Sequence, residues 1–99
     1  MRVVFSPEAR LEFEDAERYY EHQLVGLGRR FREEVRQALP RLINWPLACP
    51  TERGEIRRLI LSRLPYKLLF SIESDHVYVI AVMHQHRKPD YWINRLDQD

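Results

Sequence analysis

Three apolar runs follow one another with almost nothing between them: EIRRLILS (55–62), YKLLFSIE (66–73) and HVYVIAVM (76–83). Their Ile, Val, Tyr and Phe content suits strands, and the separators, Arg63-Leu64-Pro65 and Ser74-Asp75, are far too short for a crossover helix. The three runs are therefore expected to be antiparallel neighbours. In the middle run Tyr66, Leu68, Phe70 and Ile72 alternate with Lys67, Leu69 and Ser71, so one of its faces must be covered by another layer. Strict alternation groups His84 with Tyr78, Ile80 and Val82, away from Val77, Val79, Ala81 and Met83. It also puts Arg57 and Arg63 on one face and Arg58 on the other.

The covering layer is written upstream. RVVF (2–5) reads as a short strand, after which Ser6 is an N-cap, Pro7 a first helical residue and Glu8 an acid at the positive helix end. Ala9, Phe13, Ala16, Tyr20 and Leu24 then recur at three or four residues, the stripe of an amphipathic helix. Gly26 and Gly28 reverse the chain, and Leu27, Phe31, Val35, Ala38, Leu39 and Leu42 form the stripe of a second helix, giving an antiparallel helical hairpin. Pro40 is expected to kink or end that helix, since it removes a backbone donor and crowds the previous turn. WPLACPTERG (45–54) reads as a loop, and KPDYWINRL at the end as a turn and a short helix. The class is α+β: strand, helical hairpin on one sheet face, three-stranded antiparallel meander and short C-terminal helix, in a single domain over 1–99.

Composition narrows the function. Cys49 is the only cysteine, which removes an internal disulfide and any thiolate zinc cluster. No apolar run approaches the roughly 20 residues that span a bilayer, and the start lacks a secretory apolar region, so no membrane partner and a cytoplasmic location are expected. Net charge is only +1, yet it is unevenly spread: residues 53 to 67 hold Arg53, Arg57, Arg58, Arg63 and Lys67 against Glu55. That run predicts a basic surface in the second half of the chain if the fold gathers these groups.

HQHRKPDYW (84–92), directly after the last apolar run, concentrates two histidines, two cations and two rings. His84 and His86 have the proton affinity to act near neutral pH, Arg87 and Lys88 can meet phosphate or carboxylate, and Tyr91 can donate or stack. Arg95 lies three residues past Trp92, on the same side of a short helix. Two histidines two apart, without further ligands, do not make a metal site, and no cofactor is expected.

Taken in order, FSPEA before an acidic first helix, RRFREEV in the second, IRRLIL leading into LPYKLLFSI, and AVMHQHRKPDYWINR at the end resemble the RelE/ParE superfamily of type II toxin–antitoxin toxins, or plasmid stabilisation proteins. The likeness spans nearly the whole chain, and its His-x-x-Arg, Pro and Tyr-Trp pattern sits on the ParE side. ParE-like toxins, the resemblance implies, inhibit DNA gyrase by binding, whereas RelE-like toxins cut messenger RNA on the ribosome through the ribose 2′-hydroxyl, without metal. Both are held inactive by a cognate antitoxin. The nuclease route would draw on His84, His86, Arg87 and Tyr91 for proton transfer and charge. Target or antitoxin binding would draw on Arg57, Arg58, Arg63, Lys88 and Arg95. The chain carries only Lys67 and Lys88 as lysines, short of the dense cationic constellation of many RelE-like nucleases, so the binding mode is favoured.

Overall fold

The computed structural model describes residues 1–97. Strand β1 (Arg2–Phe5) leads into helix α1 (Pro7–Gln23), a tight reversal and helix α2 (Leu27–Asn44). A 3-10 turn (Pro46–Ala48) precedes β2 (Thr51–Arg53), β3 (Ile56–Ile60), β4 (Tyr66–Ile72) and β5 (His76–His84), and a 3-10 stretch (Ile93–Asp97) follows. The sheet order is β1-β5-β4-β3-β2, with β1 parallel to β5 and every other pair antiparallel. The α+β architecture and the meander β3-β4-β5 stand as the sequence predicts. Among the described residues no helix is long and apolar enough to cross a membrane.

Local chemistry explains the helical layer. Ser6 caps α1 as expected, its Oγ accepting from the Ala9 N–H at 3.0 Å. The hairpin tip is capped from across the turn: Gly26 at φ 91° lacks a capping side chain, and the Glu21 carboxylate accepts from the Gly26 and Gly28 N–H groups at 3.0 and 3.1 Å. Gly28 marks a close approach, since a Cβ there would lie 2.7 Å from the Glu17 carbonyl oxygen. Pro40 does not end α2, which runs on to Asn44. Pro40 and Arg36 are both exposed, so water can satisfy the carbonyl that loses its donor.

The sheet is buried on both faces. Phe31, Val35, Leu42, Leu59, Leu68, Phe70, Val77, Val79 and Val82 pack between helices and sheet. On the far face Ile56, Leu69, Ile80, Ala81, Met83 and Trp92 form a smaller cluster beneath the C-terminal segment. Two elements differ from the sequence reading. Part of the expected loop, Thr51–Arg53, is an edge strand, and the terminal helix is a 3-10 stretch.

A β-bulge in β5 overturns the alternation. Leu69 opposes Ala81 and Phe70 opposes Val79, so Ile80 has no opposite residue and the side chains after it change face. Val82 therefore joins Val77 and Val79 beneath the helices, and His84 follows it to meet Tyr66. The expected grouping of His84 with Tyr78 and Ile80 is thus corrected. The bulge falls where β1 stops: Phe5 is the last residue paired, opposite Val79, and the Ser6 N–H donates to the Val79 carbonyl at 2.9 Å. Beyond that point side chains replace the missing strand. Glu12 accepts from the Val82 N–H at 3.0 Å, and Arg95 donates to the Ile80 carbonyl at 2.8 Å.

Candidate functional site

At the end of β5 the histidines, Arg87 and Tyr91 lie close together. His84 is half-buried, its ring centroid 5.4 Å from that of Tyr66 and 5.4 Å from that of His86. The His86 N–H donates to His84 Nδ1 at 3.1 Å, so Nδ1 is the acceptor nitrogen and a neutral ring carries its proton on Nε2. His86, Arg87 and Lys88 are exposed on the following turn. The Arg87 guanidinium carbon lies 3.9 Å from the Tyr91 ring centroid, a cation–π contact.

Tyr91 and Arg95 are held from below by a residue that the sequence reading passed over. The Glu12 carboxylate accepts the Tyr91 hydroxyl on Oε2 and grips Arg95 bidentately at 2.9 and 3.0 Å, both side chains of that ion pair being 17% exposed. Burial, then the hydrogen bond to Glu12, push the Tyr91 phenol well above its ordinary range. Hydrogen bonding to the same carboxylate holds Arg95 still more firmly in its charged form. A signal for Glu12 existed: it is a charge set inside the apolar stripe, three residues after Ala9 and four before Ala16.

The other basic candidates do not merge into one patch. Arg57 donates to the Cys49 carbonyl at 2.7 Å, tying down the loop after α2. Arg58 donates to the Thr51 carbonyl at 2.6 Å and lies 3.6 Å from Glu52. Glu52 has no opposite residue between the pairs Thr51–Arg57 and Arg53–Ile56, and it also binds Lys67 at 2.9 Å. Glu52 thus gives Arg58 and Lys67 an acid from within the chain, one that the count from residue 53 onward leaves out. No sequence signal pointed to it, because Pro50 and Gly54 frame those residues as a loop. Arg63 is exposed on the β3–β4 turn, where its backbone N–H, with that of Leu64, donates to Glu34. Arg95, engaged by Glu12 and the Ile80 carbonyl, anchors the C-terminal segment instead of extending an exposed patch. Among the described residues no group of three His, Cys, Asp or Glu is placed to hold a metal.

A family model described as "ParE toxin of type II toxin-antitoxin system, parDE" matches residues 3–89. The chain belongs to the ParE toxin family. Its match takes in Glu12, His84, His86 and Arg87 and stops short of Tyr91, Trp92 and Arg95. A solved structure titled "Chromosomal ParDE TA system from P. aeruginosa" superposes with a TM-score of 0.75, covering 85% of this chain and 95% of that one at 14% identity. At that identity the match establishes the shared fold. No curated protein matches the sequence.

Proposed function

We propose that this chain is a toxin that inhibits DNA gyrase by binding it and that a cognate antitoxin neutralises it, both events taking place in the cytoplasm. One observation carries the choice of binding over catalysis. Two of the groups a nuclease would draw on at the end of β5 are already engaged: the Tyr91 hydroxyl on Glu12 and His84 Nδ1 on the His86 N–H. The exposed His86, Arg87 and Lys88 remain as a surface for an acidic target.

Charge supports an acidic, partly apolar antitoxin segment beside β1, the strand next to β5. Phe5, Phe13, Val35 and Leu39 floor a groove of about 230 Å³ beside β1, rimmed by Arg10, Arg32 and Arg36. The outer edge of β1 has no strand neighbour among the described residues, so an extended segment can add to it. A second copy of the chain would bring the same arginines against one another.

The deciding experiment is a gyrase supercoiling assay with purified, antitoxin-free protein, with a parallel check for stabilised cleaved DNA. Inhibition that antitoxin reverses is expected. No effect from folded protein at concentrations well above that of the enzyme would overturn this reading in favour of ribosome-dependent RNA cleavage. That second reading is favoured by the convergence of Tyr66, His84, His86, Arg87 and Tyr91. It requires single replacements of His84, His86 or Arg87 to abolish cutting while the fold persists.

A further inference from the structure

The segment after β5 carries the exposed cations of this surface, yet little of its own backbone ties it to the sheet. Its backbone hydrogen bonds are mostly local, as in Ile93 N–H to the Asp90 carbonyl and Arg95 N–H to the Trp92 carbonyl; Gln85 N–H to the Pro65 carbonyl is the link to another element. Side chains must therefore orient it. Trp92 is 1% exposed in the far-face cluster, but apolar burial is non-directional, and its indole N–H is buried without a hydrogen-bond partner among the described residues, so none of them orients the ring by a polar contact. The ion pair of Arg53 with Asp90 is exposed, with weak geometry at 3.3 Å.

Direction comes from Glu12. An ionised carboxylate offers about four acceptor sites. Here all four are filled, by Val82 N–H, the Tyr91 hydroxyl and two Arg95 nitrogens, joining α1, β5 and the C-terminal segment. The chain of contacts then runs outward: Glu12 fixes the Tyr91 hydroxyl, the Tyr91 ring lies under the Arg87 guanidinium, and Arg87 is exposed.

We propose that Glu12 is a positioning residue for target binding: through Tyr91 it sets the orientation of Arg87, and through Arg95 it locks residues 85–97 against the sheet. The inference rests on the binding surface proposed above. A guanidinium held in place before an encounter loses less freedom when it meets an acidic partner.

The test combines Glu12→Gln, Arg87→Ala and the double variant, read by segment-resolved hydrogen exchange and by gyrase supercoiling. In Glu12→Gln, exchange in residues 85–97 is expected to accelerate about tenfold or more while α2 and β4 keep wild-type protection. Inhibition should fall roughly tenfold in either single variant and no further in the double, because the two act through one contact chain. A merely structural role would instead raise exchange throughout the molecule and leave the two losses additive, and either result overturns the proposal. Unchanged exchange in 85–97 overturns it as well. Should wild-type protein leave gyrase untouched, the target reading falls alone and the exchange result decides whether Glu12 orients the segment. If Glu12→Gln does not fold, Arg95→Gln, which withdraws the bidentate partner, takes its place in both measurements.

Discussion

The bare backbone of Gly28 lets α2 approach α1 closely, and Trp92 fills the cluster on the far face of the sheet. At Gly28 helix propensity favours alanine by about 1 kcal/mol, but the added Cβ would meet the Glu17 carbonyl oxygen at 2.7 Å and the Glu21 carboxylate at 3.0 Å. Backbone cannot yield cheaply, so the steric cost should win. Gly28→Ala is expected to lose about 1–3 kcal/mol in urea unfolding, and a gain would show that the helices can separate at no cost. Trp92 combines a large buried area with an unpartnered N–H. Replacing it by phenylalanine removes that orphan donor along with some contact. Trp92→Phe should therefore cost only about 1 kcal/mol, far below the 3–5 kcal/mol typical of truncation to alanine, as denaturation midpoints would reveal.

Whole elements are settled by what surrounds them. Helix α2 tolerates Pro40 because the interrupted turn faces water, so the proline carries a propensity penalty with no packing gain. Pro40→Ala restores a donor for the Arg36 carbonyl and should stabilise the fold by about 1–3 kcal/mol, visible as a higher urea midpoint with an unchanged slope. A fall in stability would mean that Pro40 packs against something its exposure does not reveal. Strand β2 owes its importance to Glu52, whose ion pair with Lys67 leaves each side chain only 13% exposed. Removing that charge strands an ammonium in a poorly hydrated place. Glu52→Gln is expected to cost about 1–3 kcal/mol, whereas exchanging the exposed Asp15, which pairs with Arg18, should change stability by about 0.5 kcal/mol or less. Thermal melts of the two variants side by side would test that difference.

At the scale of the molecule, burial leaves a common sign on the acid groups of the core. It is the leading cause of the upward shifts at Tyr20, Tyr66, Tyr91 and Cys49, so the folded state favours their neutral forms more than the unfolded chain does. A raised folded value contributes stability that is complete below the unfolded pKa and declines as pH rises above it. The unfolded thiol and phenols ionise near their ordinary 9.0 and 10.0, so stability should decline from about pH 9 upward. Absorbance at 295 nm, followed together with circular dichroism, should show the phenolates of these three tyrosines appearing as structure is lost. Their ionisation within a folded protein at pH 10 would contradict the assigned burial.

The amino-acid sequence by itself determined the local elements: the Ser6 cap, the two helical stripes, the glycine reversal and the three strands joined by tight turns. Each depends on neighbours within a few residues, where periodicity and turn chemistry act directly. It also carried the family resemblance that the match over residues 3–89 bears out. Only the tertiary structure decided the face of His84, because a single unpaired residue, Ile80, inverts the alternation, and it lies just past the last pair that β5 makes with β1. Only the tertiary structure joined Glu12 to Val82, Tyr91 and Arg95, or Glu52 to Arg58 and Lys67. A carboxylate reads as solvent-facing until folding buries it, and its partners are then chosen by which strand edges and cations the sheet leaves unsatisfied, a long-range outcome that no local period encodes.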